Sequence, residues 1–251
     1  MQPPKQLSEA DSRILTQVFD PESGPTKAEI IVDPFLPSDR QYHEDETVAK
    51  LQTREREAIV LIERFEKEKP QTQSKADVFR AAVSILDSII DQYPRYASAR
   101  NNRAQLRRWM FGDRYMLCQP QTIAKSDRTS AGSAILADLK SAVSLASPNR
   151  SHDAVSPAQG KLLAQAYTQL AAVYYAAAKD LAMSKGAEVS VAAEVKDCSG
   201  DWLEEEASRL FYLGGLYGNE VAKALAVHTN PHAKLCGNIV KEAMRKEFAT
   251  V

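Results

Sequence analysis

Residues 97 to 109, ASARNNRAQLRRW, bring adjacent amides, a run of arginines, a further amide and a tryptophan into fewer than four helical turns. Such a set suits contact with nucleic acid, a catalytic cluster, or recognition of a peptide by amide and guanidinium donors. A second set lies near the C-terminus, where His228, His232 and Cys236 follow at four-residue spacing. On an unbroken helix those three would form one metal-binding face. Asn230-Pro231 interrupts it, because an asparagine cap followed by proline starts a new helix. His232 and Cys236 then read as a helix start and a buried thiol, with a metal- or thiol-dependent enzyme as the alternative. His43 and His152 fall in polar loops with no companion nucleophile, and no Gly-rich phosphate loop or Ser-His-Asp order occurs. No catalytic residue, metal or cofactor is therefore assigned.

The chain as a whole narrows these choices. Its 251 residues are 44% hydrophobic and 26% charged, a composition that can bury a sizeable core. Thirty-two basic residues against thirty-three acidic leave a formal charge of -1, so no overall positive field draws it to nucleic acid or an acidic membrane. MQPPKQLSEADSR, at the start, lacks the basic-then-apolar pattern of a secretory signal. LLAQAYTQLAAVYYAAA, the most apolar run, is interrupted by Gln165 and Gln169 and reads as a core helix rather than a membrane span. Cys118, Cys198 and Cys236 are scattered, which suits reduced thiols in the cytoplasm or nucleus.

Helices must position the central cluster. Residues 1–45 are rich in proline, with one apolar patch at Ile14, Leu15, Val18 and Phe19, and read as an extended N-terminal arm. From Glu46 the apolar spacing becomes helical: Leu51, Ala58, Ile62 and Phe65, then Phe79, Ala82, Val83, Leu86, Ile89 and Ile90. Ser74 with Asp77 caps that second run, and Pro94 ends it. The central cluster is a third helix to about Phe111, and Leu136, Leu139, Val143 and Ala146 mark a fourth. A fifth starts at Ser156-Pro157, a sixth at Asp201 with Glu204 at capping-box spacing, and a short one covers Glu220 to Val227. A last helix, Pro231 to Phe248, is expected to cap the array within residues 228–251, with structural self-assembly through that helix as the alternative.

Paired helices of this length predict an all-α helix-hairpin solenoid of about three tetratricopeptide repeats, within 46–227. The repeats cover about 46–94, 97–148 and 157–227, with insertions at 112–132 and 179–200 where short turns belong. Small residues mark the positions where helices touch: Ala82 with Leu86, Ala99 with Ala104, and Ala142.

ILTQVFDPESGP, YPRYASARNNRAQ and NPHAKLCGNIV, in that order, resemble the tetratricopeptide repeat protein 36 family, over Ile14 to Met244. The resemblance implies a non-enzymatic intracellular adaptor linked to Hsp70 binding and to tyrosine metabolism. Its partner would be a protein, Hsp70 or an enzyme of tyrosine breakdown.

Helical geometry divides the central cluster into faces. Ser98, Asn102, Gln105 and Trp109 share one side, and Ala99, Arg103, Leu106 and Met110 another. In a tetratricopeptide array the Asn102 side faces the concave groove. In repeat proteins that hold a chaperone's C-terminal carboxylate, an asparagine at this position works with donors from the flanking repeats, because a desolvated carboxylate needs several at once. Those flanking positions hold Gln52 and Arg56 before it and Gln165 and Gln169 after it. With most of these neutral the clamp is incomplete, so an internal peptide segment or a folded partner is the better expectation for this groove. Arg103 is expected to bond a helix end or carboxylate between repeats, and Arg107 and Arg108 to lie at the solvent edge.

Overall fold

A computed structural model describes residues 30–42, 44–68, 72–121, 128–150, 153–184 and 189–230. Among them are seven α-helices: α1 Asp45–Lys67, α2 Lys75–Gln92, α3 Ala97–Phe111, α4 Arg128–Ala146, α5 Pro157–Met183, α6 Gly200–Leu216 and α7 Glu220–Thr229. The fold of this part is all-α apart from two three-residue strands, β1 Cys118–Pro120 and β2 Val189–Val191, and a short 3-10 turn. No described helix is long and apolar enough to cross a membrane.

Local sequence accounts for the helix starts. The Ser74 hydroxyl accepts the Asp77 N–H at 3.1 Å. At α5 the Ser156 hydroxyl accepts the Gln159 N–H while the Gln159 side chain accepts the Ser156 N–H, so two orphan donors are satisfied reciprocally. The sixth start differs from expectation. Ser199, whose hydroxyl accepts the Trp202 N–H at 3.1 Å, is the cap in place of Asp201, and α6 begins at Gly200. Asn219 caps α7, which extends past Val227 to Thr229.

Consecutive helices pack against one another from α1 through α7, and α3 also meets α5. Leu51, Ala58, Ala82, Leu86, Ile89 and Leu106 form one apolar cluster over α1 to α3. Leu139, Ala171, Leu203 and Phe211 belong to a larger one that spans α3 to α7. Ala97 joins Val155 and Leu163 in a third. Helix α3 therefore contributes to all three clusters, through Ala99 and Leu106, Ala104, and Ala97.

The two expected insertions are shorter than 112–132 and 179–200, because α4 already begins at Arg128 and α5 runs on to Met183. What remains of them pairs: β1 and β2 are antiparallel, with Cys118 opposite Val191. Fully buried Asp180 explains the anchoring, since it accepts the Tyr115 N–H at 2.6 Å and ion-pairs with Arg114. Tyr115 adopts a left-handed φ of 61°, and the next three residues, Met116 to Cys118, are almost wholly buried. Burial pushes the Cys118 thiol up to about 12.

The described part of the arm lies on the body. Val32 bridges Val155 in parallel, Gln41 donates to the Leu145 carbonyl at 3.1 Å, and the Tyr42 ring meets Tyr93 and Tyr96 edge-on. The apolar patch Ile14 to Phe19, His43, His152, the residues 231–248 expected to form a capping helix, and His232 with Cys236 lie outside the described residues.

Candidate functional site

Helices α1 and α3 enclose a cleft of about 470 Å³. Ala58, Ile59, Ile62, Leu86 and Leu106 supply its apolar lining, and Glu55, Asn102, Gln105 and Trp109 its polar groups, with Glu63, Glu66 and Lys67 beside them. Spacing on α1 is the reason. Leu51, Ala58, Ile62 and Phe65 turn one stripe inward, and Glu55 stands within that stripe, four residues after Leu51 and three before Ala58.

Glu55 is 5% exposed. Its Oε2 accepts the Tyr96 hydroxyl at 2.9 Å and the Ser98 hydroxyl at 3.0 Å, and its Oε1 accepts the Asn102 amide at 2.9 Å. Burial nevertheless outweighs these three donors and pushes the Glu55 carboxyl up to about 7. Tyr96 is raised as well, by burial and by the adjacent Glu55 charge. Trp109 closes the other end: its Nε1 donates to Glu66 at 2.9 Å, its ring packs edge-on to Phe65, and Lys75 Nζ sits 4.6 Å from the ring centroid.

The groove residues expected from sequence divide into separate sites. Asn102, Gln105 and Trp109 line the cleft together. Gln52 and Arg56 do not line it; both are exposed on α1, and the inward position between them is Glu55, one residue from Arg56. Gln165 and Gln169 turn to Asn101 rather than Asn102: the Gln169 amide donates to Asn101 Oδ1 at 2.9 Å, and Asn101 Nδ2 lies 3.5 Å from Gln165 Oε1. The carboxylate clamp is therefore not merely incomplete. Asn102 already donates to a carboxylate, and a second one placed there would meet Glu55 as a like charge.

Ala82, Leu86, Ala99, Ala104 and Ala142 are all buried. Arg103 bonds Asp138 at 2.8 and 2.5 Å and Asp87 at 2.7 Å, which links α2, α3 and α4 and raises the guanidinium further above its ordinary range. Arg107 and Arg108 are not at the solvent edge. Arg107 pairs with buried Asp138, and Arg108 grips Asp113 at 2.7 and 2.8 Å at the end of α3. Among the described residues no group of three or more His, Cys, Asp or Glu side chains is placed to hold a metal ion.

The described residues thus form an all-α body with an apolar, acid-floored cleft between α1 and α3. Compared with curated proteins, the chain is 36% identical over 248 residues to the L-tyrosine degradation gene cluster protein hmgX of Aspergillus fumigatus. That alignment spans 98% of this chain and 94% of the relative, and the chain belongs to the hmgX family. No family model matches it, and no solved structure does.

Proposed function

We propose that the chain is a non-enzymatic, cytoplasmic adaptor serving L-tyrosine degradation, whose α1–α3 cleft binds a protein partner. The observation that carries this reading is the cleft itself: an open apolar surface of peptide-binding size, with Asn102 bonded to Glu55 at one end and Trp109 to Glu66 at the other. The relative's name, a protein of an L-tyrosine degradation gene cluster, supplies the pathway. An enzyme of tyrosine breakdown is the favoured partner.

The architecture belongs to the proposal too. Helix hairpins α1–α2, α3–α4 and α5–α6 correspond to three tetratricopeptide-type repeats, and the α3–α5 contact is what stacking of repeat first helices produces. On that basis the protein is a divergent relative of the tetratricopeptide repeat protein 36 family. Hsp70 would then be recognised through something other than its terminal carboxylate, since the Asn102 amide already donates to Glu55.

Calorimetric titration of the purified chain with each enzyme of tyrosine breakdown tests the reading. At least one is expected to bind, and Ile59→Lys, a change at a 43% exposed cleft residue, is expected to weaken binding about tenfold or more, roughly the 1.4 kcal/mol lost when apolar contact is removed. Binding to none of them, or equal binding by the variant, would show the reading to be wrong.

A further inference from the structure

Among the described residues, Glu55 is a buried carboxylate with no counter-cation beside it. Among the described residues its contacts are Tyr96, Ser98 and Asn102, all neutral donors, and the nearby Asp39 adds repulsion. A carboxylate has about four acceptor positions. Oε2 uses both of its own, whereas Oε1 accepts a single bond, from a residue that also lines the cleft. Among the described residues the site is one donor and one positive charge short. Glu63 and Glu66 against Lys67 leave the rest of the lining acidic as well.

Dimensions agree with a peptide. Glu55 and Glu66 are eleven residues apart on α1, about 16 Å at 1.5 Å per residue. That length accommodates roughly five residues of extended chain. The volume of about 470 Å³ suits one long side chain with one or two aliphatic neighbours.

We propose that the cleft holds an extended segment of a protein partner with a lysine or arginine seated on Glu55 and apolar side chains over Ile59, Ile62 and Leu106. This rests on the adaptor reading and names the chemistry of its partner. Lysine or arginine supplies both missing elements at once, a donor for Oε1 and a charge that offsets the cost of keeping the carboxylate ionised. Acidic residues and a free C-terminal carboxylate are rejected by the same group.

A displayed library of random linear peptides, selected at pH 8 on the full chain, on Glu55→Gln and on Ile59→Lys, tests it. The wild type is expected to enrich one position for Lys or Arg about tenfold beside aliphatic residues. Glu55→Gln, which keeps the side chain's shape, should lose the basic preference and keep the aliphatic one. Ile59→Lys, which places an ammonium one turn from Glu55, should lose both.

Enrichment without a basic position, a basic preference that persists in Glu55→Gln, or selection of acidic or carboxyl-terminal residues overturns the inference. Where circular dichroism shows Glu55→Gln to have lost helicity, Ile59→Lys decides instead, and retention of the motif by it is the overturning result. The two readings fail separately. An enzyme of tyrosine breakdown that binds in a cleft-dependent way while the library yields no basic motif leaves the adaptor standing and removes this inference. Failure of both assays removes both.

Discussion

At the scale of single residues, Glu55 sets the pH behaviour. Its carboxyl is raised from 4.5 to about 7, chiefly by burial, so the folded chain holds that proton more tightly than the unfolded one. The stabilisation is complete below pH 4.5 and is lost as pH rises toward 7, at about 1.4 kcal/mol per pH unit. Urea unfolding at pH 5 and pH 8 should therefore show the wild type losing about 2–3 kcal/mol more than Glu55→Gln over the same interval. Equal losses would mean that Glu55 is not buried as described. Asp138 is the second decisive residue, 3% exposed and shared by Arg103 and Arg107. Asp138→Ala leaves the partly buried Arg107 guanidinium uncompensated and Arg103 with Asp87 alone, and should lower the unfolding free energy by about 3–5 kcal/mol, read from the same urea curves. Sequence placed Asn102, Gln105 and Trp109 on a common face because one helix carries all three. On α1 the expected positions Gln52 and Arg56 each lie one residue past the buried Leu51 and Glu55, because a polar run does not itself say which charge points inward. The signal was nevertheless present in the apolar stripe, where Glu55 interrupts Leu51 and Ala58 at helical spacing.

Elements are legible where their physics is local. Ser74 and Ser156 announce helix starts because a cap needs only residues within one turn of itself. The pairing of β1 with β2 joins residues about seventy positions apart and is invisible to any local pattern, so both segments read as long turns. Their anchoring on the helices gives a sharp test at Gly132, in the first part of α4. A Cβ built there collides with the Met116 carbonyl, which belongs to the segment leading into β1. Gly132→Ala raises intrinsic helix propensity by about 1 kcal/mol, so a purely helical account predicts stabilisation. The close approach predicts the reverse: a loss of about 1–3 kcal/mol as Met116 to Cys118 are displaced. Thermal melts of the two proteins decide by the sign of the change, and accessibility of Cys118 to a thiol reagent should rise in the variant.

The whole molecule is organised along its sequence, because each helix packs chiefly on its neighbours and α3 ties the successive apolar clusters together. Stability should then vary along the chain in place of a single uniform value. The cluster over α1 and α2 has α3 on one side and, among the described residues, only the arm around Tyr42 besides, whereas α5 is packed by α4, α6, α3 and β1. Amide exchange should accordingly show α5 and α6 protected up to the global unfolding free energy and α1 opening earlier. The cleft lies on that end, so under the proposed function a partner seated between α1 and α3 would also contribute the ordering of α1. Exchange measured with a saturating partner should slow most in α1, from Glu55 to Glu66, and by less in α5. Uniform slowing of every helix would instead indicate that the molecule unfolds as one unit and that the cleft helix has no independent freedom to lose.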